Sequence, residues 1–508
     1  MKLPRPRYLI AGTVLALALG AAAMVVVLNS EWAARRVGQE AEALIEARFD
    51  GRAQVDAVSV KLFPWVQISG SNLRITRSDG ETLFLRVARF EMSGSPLQLL
   101  RRSASRVDLD GFELYITKGR KQASAALRGH MHDVHIGEVH VNNGRLLIIP
   151  DNPEKLPLEF ALHEVTLTDF RFDRSTAFAA KITNPKPRAL IQTEGHLGPW
   201  DTAAPRATPL SGVYLFNDGE LNAIKGIGGH LTSSGNFDGI LERIKVQGTT
   251  SSRDFQLDLG KQPVPLQTQF KATVDGTRGD VFLDDIDALL GQSRIRAHGA
   301  VTGTRGVKGR TVSLKLTMKD ARFQDLLRLS VKGVEPPMRG RLDVDAGFEL
   351  PPGEEDVPLR LFLNGTFAIR QGQFASDTTQ NKIDELSRRG RGEPANQDVS
   401  NVMSAFGSAF TLQHGVLQLP KLRFDVKGAR IELGGRYTLR SEALDFTGAV
   451  RLDAPVSQTV TGFKSVLLKA VDPLFRRDGA GAVLPIRIAG TVDKPAFKLD
   501  VKRVMSRD

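Results

Sequence analysis

The chain has 508 residues, with 69 Lys plus Arg against 57 Asp plus Glu, a net charge of +12, and no cysteine. The missing thiols exclude disulfides, cysteine-ligated metals and thiol nucleophiles. Aromatic residues make up only 6%, and the basic residues alternate with acids along the chain, which argues against nucleic acid as a partner. Solvated strand faces near an anionic membrane account for the excess charge.

Lys2, Arg5 and Arg7 precede an uncharged apolar run, Tyr8–Leu28. That run is long enough to cross a ~30 Å hydrocarbon core as a helix, and the flanking cations place residues 1–7 in the cytoplasm. A cleaved signal peptide is the alternative, because Ala21, Ala22 and Ala23 form a small-residue cleavage site. Met24–Leu28 carries the apolar stretch past that site and favours a retained transmembrane helix, 8–28. A juxtamembrane helix, 29–50, follows, with Val37, Ala41, Leu44, Ile45 and Phe49 as its apolar stripe and Gly51 as its stop. In a diderm bacterium this topology is that of a single-pass inner-membrane protein with its bulk in the periplasm.

Beyond residue 50 the hydrophobic period becomes two. Val312, Leu314, Leu316 and Met318 alternate with polar residues, as do Leu342, Val344, Ala346, Phe348 and Leu350. Leu422, Phe424 and Val426, then Ile431 and Leu433, Phe446, and Val450 and Leu452 continue the pattern. Runs of this length broken by Gly, Asn, Asp or Pro predict half-buried antiparallel strands. Few helical patterns are present to cover one apolar face, so the sheet is expected to curl on itself. The predicted fold is mainly β: a transmembrane helix, then an elongated, curled antiparallel sheet forming an apolar-lined groove, with a few short helices. About 25 strands at ~4.8 Å spacing would extend ~120 Å. The body divides softly into an N-terminal β region, 51–200, a central β region, 201–374, a helical and loop insertion, 375–410, and a C-terminal β region, 411–508.

Two segments interrupt the alternation. Within 375–410 a short helix is expected near Ile383–Ser387, then a charged loop, Arg388–Gly392, and an apolar stretch, Val399–Phe410. In 460–477, Phe463, Val466, Leu467, Ala470, Val471 and Leu474 fall on one face of an amphipathic helix, an end cap for the sheet or a membrane-surface helix.

Catalytic and metal-binding patterns are weak. His130, His132, His135 and His140 cluster in sequence but lack HExxH spacing. Asp284, Asp285 and Asp287 lack the ligand order of a calcium loop and predict a turn between strands. Gly226, Gly228 and Gly229 read as turn glycines rather than a phosphate loop. No GxSxG or Walker A motif occurs. The expectation is a protein that is not an enzyme and needs no cofactor or metal.

Several stretches, taken in order, resemble one family. Gly51-Arg52 and Val58–Ser69 with Leu62-Phe63-Pro64-Trp65 are similar to the N-terminal region of AsmA-family proteins. Gly365–Phe374, Lys382–Ser387, Phe410–Leu419, Gly428–Leu439, Leu444–Gly448 and Val483–Thr491 resemble its C-terminal domain. The middle, with Pro265-Leu266 and Val274–Thr277, is similar to large bacterial members. The resemblance implies a long β groove related to bridge-like lipid-transfer proteins and a role in outer-membrane and envelope biogenesis. Its implied partners are the inner membrane, phospholipids and envelope proteins.

The lining would then be Val312, Leu314, Leu316, Met318, Leu342, Val344, Phe348, Leu422, Phe424, Val426, Ile431, Leu433, Phe446 and Leu452, with Phe463, Val466, Leu467, Val471 and Leu474 on the end helix. The same alternation suits a sandwich core. An assembly or targeting factor for outer-membrane proteins is the alternative function, and a periplasmic hydrolase the weaker one.

Overall fold

The computed structural model describes residues 51–499 apart from 62–64, 78–82, 99–102, 118–134, 150–157, 200–204, 332–334, 456–480 and gaps of one or two residues. The expected anchor 8–28, the juxtamembrane helix 29–50 and the amphipathic helix 460–477, with Phe463, Val466, Leu467, Val471 and Leu474, lie outside the described residues. Among the described residues no helix is long and apolar enough to cross a membrane. The described chain is mainly β, with twenty-five strands and three short α-helices in two compact units.

The first unit holds residues up to Gly219 with Ser233–Val246 and Asp275–Thr277. Its strands begin with β1 (Gly51–Gln54), β2 (Ala57–Lys61), β3 (Val66–Arg77), β4 (Leu83–Gly94) and β5 (Ser103–Thr117). They continue with β6 (His135–Ile149), β7 (Leu158–Arg171), β8 (Thr176–Pro185), β9 (Arg188–Leu197) and β10 (Pro209–Glu220). β1 and β2 both pair with β3, and each later strand pairs with its predecessor. One pairing departs from the expected antiparallel order, because β5 and β6 run parallel. Parallel neighbours need a long return connection. Here that connection includes 118–134, outside the described residues.

A line of left-handed residues crosses this unit. Asn72, Gly111 and Asn143 have φ of 53°, 66° and 52°. The flanking pairs set them level: Asn72 opposite Ala88, Ala88 opposite Gly111, and Gly111 alongside Asn143. A Cβ on Gly111 would stand 2.7 Å from that of Ala88, so the close approach itself requires glycine there. A left-handed residue inside a strand returns the next side chain to the face just used, as a bulge does. The apolar positions therefore change parity along this line while keeping one face. Val107 and Leu109 give way to Phe112 and Leu114, and Val139 and Val141 to Leu146.

The second unit comprises Glu220–Thr232, Gln247–Val274 and residues from Arg278 onward. β11 (Ile227–Gly228) is followed by β12 (His230–Ile240) and β13 (Arg243–Leu257), whose residues 233–246 belong to the first unit, and then by β14 (Val264–Val274), β15 (Val281–Leu290), β16 (Ser293–Thr302) and β17 (Thr311–Arg322). Helix α1 (Phe323–Ser330) leads to β18 (Met338–Leu350), and α2 (Val357–Arg360) to β19 (Phe362–Phe374). Helix α3 (Asp377–Gly390) precedes β20 (Ser404–Gln413), β21 (Val416–Val426), β22 (Ala429–Thr438), β23 (Ala443–Leu452), β24 (Ala482–Thr491) and β25 (Pro495–Leu499). From β14 to β25 every strand pairs antiparallel with the next.

Helix α3 is longer than the expected Ile383–Ser387 piece and absorbs Arg388 and Arg389 from the expected loop. Ser376 caps its start by accepting from Thr379 N at 3.4 Å, Asp377 lies in the first turn, and the two arginines lie in the last. Each of these favours the helix at its own end.

Bulges bend this unit as well. Register shifts where β18 and β19 meet their neighbours, near Asp320 (φ 53°) and Gln371 (φ 53°). Asp tolerates the left-handed region, whereas Gln does so at a cost of about 1 kcal/mol. Gln371→Gly is therefore expected to stabilise the unit by about 1 kcal/mol in urea melts. Asp320→Gly should gain less, because Asp320 also pairs with Arg341 and Arg370, each at 3.5 Å.

Candidate functional site

Ladder registers bring all fourteen predicted lining residues of the second unit onto one face. Leu314 lies opposite Phe348, Phe348 opposite Leu363, Leu363 opposite Leu412, and Leu412 opposite Leu417. Nearer one strand end, the row runs Leu342, Ile369, Phe406, Phe424, Ile431, Val450 and Leu484. Val312, Leu316, Met318 and Val344 fall on the same face by alternation, as do Leu422, Val426, Leu433, Phe446 and Leu452.

Burial differs along that face. Met318, Leu342, Val426, Phe446 and Leu452 are buried. Val312, Leu314, Leu316, Val344, Phe348, Leu422, Phe424, Ile431 and Leu433 are only half-buried. The helices explain much of the difference. Phe323 and Leu326 of α1 pack on the cluster of Met318, Ala321, Leu342 and Ile369. Ile383 and Leu386 of α3 pack on Val426, Ala429, Leu452 and Ala482. Between these caps, Phe406 stands 6.0 Å from Phe424, 6.2 Å from Phe367 and 6.3 Å from Phe323, measured between ring centroids. A sandwich core at native density would bury the middle rows as fully as the ends.

The opposite face is polar and ion-paired. Arg370 meets Asp343 at 3.0 Å, Arg423 and Arg451 share Glu432, and Arg436 and Arg487 share Asp445. Exposed pairs of this kind add little stability, but they keep this face wet.

The first unit carries a comparable apolar face that sequence reading missed. One row runs Phe90, Leu109, Val141, Val165, Ala180, Thr193 and Tyr214. A second runs Met92, Val107, Val139, Leu167 and Phe178. The signal is present in the sequence, but it changes phase at Asn72, Gly111 and Asn143.

On the polar side of this unit Glu113 is buried, at 7% exposure. It accepts hydrogen bonds from Tyr115 Oη at 2.6 Å and from Arg145, with Arg86 at 4.0 Å. Burial alone would raise its carboxyl, but these hydrogen bonds and the two guanidinium charges outweigh it and hold the group below the usual glutamate range. A lowered native value adds stability above the unfolded glutamate pKa, and that contribution is lost as pH falls through the native one. Melting curves of the parent and of Glu113→Gln should therefore lie apart at neutral pH and converge in acid.

The remaining sequence candidates are dispersed. His130 and His132 lie outside the described residues. His135 sits between Ser103 Oγ at 3.3 Å and Asp169 Oδ1 at 2.6 Å, and Asp169 also faces Arg171 at 3.5 Å. His140 contacts Glu138 at 3.0 Å and Thr166 at 3.4 Å. No group of three His, Asp or Glu that could hold a metal occurs among the described residues. Asp284, Asp285 and Asp287 lie within β15, at its bulge, rather than in the expected turn. Thr273 Oγ1 donates to Asp284 at 3.1 Å, and Arg294 pairs with Asp287 at 3.4 Å. Gly226 and Gly229 have φ of 100° and 110°, in keeping with turn glycines, whereas Gly228 between them belongs to strand β11.

Compared with protein-family models, with curated proteins and with solved structures, the chain matches none.

Proposed function

We propose that the protein binds lipid acyl chains along the apolar face of its sheet and moves them passively, as a membrane-anchored AsmA-like protein of the bacterial envelope. The observation that carries this reading is the run of half-buried apolar side chains across consecutive strands of the second unit, from Val312 through Leu433. Apolar surface left half in water gains from a ligand that covers it, at ~0.8 kcal/mol per lipid CH₂ transferred. Rows that continue from strand to strand offer an acyl chain the same environment at each step, so sliding meets no large barrier. Such work needs no catalytic group. Tethering through 8–28 would keep the sheet beside its lipid source.

The test is native mass spectrometry of the full chain extracted from cells in mild detergent. Bound phospholipid, released by organic extraction and identified by its mass, is the expected result. A protein that carries none when purified, and takes up none from vesicles, would transfer the case to the assembly-factor reading.

A further inference from the structure

The polar face of the first unit holds a cleft of about 490 Å³ over β7 to β10. Two register rows line it: Glu164, Lys181, Gln192 and Leu215, then Thr166, Ala179, Glu194 and Val213. The cleft also touches Ala180, Thr193 and Tyr214, but by alternation the eight side chains of the two rows point away from those of Val165, Ala180 and Tyr214, which puts it on the face opposite the apolar rows. Ala179 and Thr166 are short enough to leave it open.

Two features of the cleft break the pattern of the polar face. Val213 and Leu215 are 48% and 40% exposed, and Leu190 beside them is 37% exposed. Single exposed apolar residues are ordinary, but contiguous ones rimmed by charge mark contact sites. The charges are also unbalanced. Glu164 is neutralised by Lys181 at 2.9 Å, whereas Glu194 is exposed and makes no ion pair among the described residues. In a chain of net charge +12, this is a local negative site set against leucine and valine. It suits a cation carried on an apolar scaffold and repels an anionic headgroup.

We propose that this cleft docks a partner protein through a segment that alternates apolar and basic residues. Its apolar side chains cover Val213 and Leu215, and a Lys or Arg meets Glu194. The site is independent of the acyl-chain reading, which rests on residues of the second unit.

The test uses the full chain in a zwitterionic detergent and a fluorescein-labelled peptide of alternating leucine and lysine, followed by anisotropy against empty micelles. Saturable binding is expected. Glu194→Lys should weaken it about tenfold or more and create binding of the matching leucine–glutamate peptide. Leu215→Ser should weaken it too, while Leu316→Asp, in the second unit, leaves it unchanged. Absence of binding by the parent, equal binding of both peptides, indifference to Glu194→Lys and Leu215→Ser, or loss in Leu316→Asp would each overturn the proposal. Thermal melts of the two cleft variants confirm folding, since both positions are on the surface.

Discussion

Leu316→Asp is expected to strip bound lipid from the purified protein while leaving the protein folded. Leu316 lies between Ala297 and Ala346 on the apolar face and is half-buried. It belongs to none of the three buried clusters that fasten helices to the sheet. With small neighbours and access to water, a carboxylate there stays hydrated in the free protein, so the loss of folding stability should be modest. An acyl chain lying over it would remove that water without supplying a partner, at a cost of several kcal/mol. Occupancy should then fall by two orders of magnitude or more, ~1.4 kcal/mol per tenfold. Phe424→Asp behaves differently, because Phe424 packs on Phe406 and on the Val426 cluster. That change should lower stability by about 3 kcal/mol as well as occupancy. Lipid per chain from native mass spectra, read beside melting temperature, separates the two. Retention of lipid by a folded Leu316→Asp variant would mean that the acyl chains lie elsewhere.

The residues that could be read in advance were those whose alternation is unbroken. From Val312 to Met318 and from Leu342 to Phe348 the period of two runs without interruption, and the register places both stretches on one face. The same physics hid the first unit. In β5 and β6 the apolar residues switch parity at Gly111 and Asn143, so a scan with fixed period loses phase in mid-strand. Parallel pairing of β5 with β6 leaves no local mark, because direction is set by a connection and not by a strand. Helix α1 was missed since it spans one short stretch, Phe323–Ser330, directly after a strand. The Lys382–Ser387 motif carries the family resemblance in the sequence, but its role in the fold depends on packing that the motif does not encode. Asp384 and Ser387 are buried, and Ile383 and Leu386 hold α3 to the sheet. The cleft at Glu194 was not legible, since exposure and unpaired charge are properties of neighbours distant in sequence.

Asp384→Ala should produce the opposite pairing of effects from Leu316→Asp: a large loss of stability without loss of lipid. Asp384 is 6% exposed and accepts three hydrogen bonds, from Gln380 Nε2 at 2.8 Å, Asn401 N at 3.0 Å and Val402 N at 2.8 Å. Alanine leaves two backbone donors without their acceptor, and leaves the Gln380 amide only Val402 O, at 3.1 Å, in a buried site. The expected cost is about 3 kcal/mol. Asn at this position keeps the shape but has a single acceptor oxygen, so Asp384→Asn should fall between alanine and the parent. Hydrogen exchange at Asn401 and Val402 is the local readout, and the melting midpoint the global one. Ser387 reinforces the same joint by donating to Lys427 O at 2.7 Å, and Gly390 approaches Gly428 so closely that a Cβ would stand 2.3 Å from its carbonyl oxygen. Weakening this joint frees α3 from Val426, Ala429, Leu452 and Ala482 and adds apolar surface to the face that lipid would cover. Lipid per chain should accordingly hold or rise as stability drops. If both fall together, helix docking and ligand binding are one cooperative event, and α3 belongs to the site rather than to its boundary.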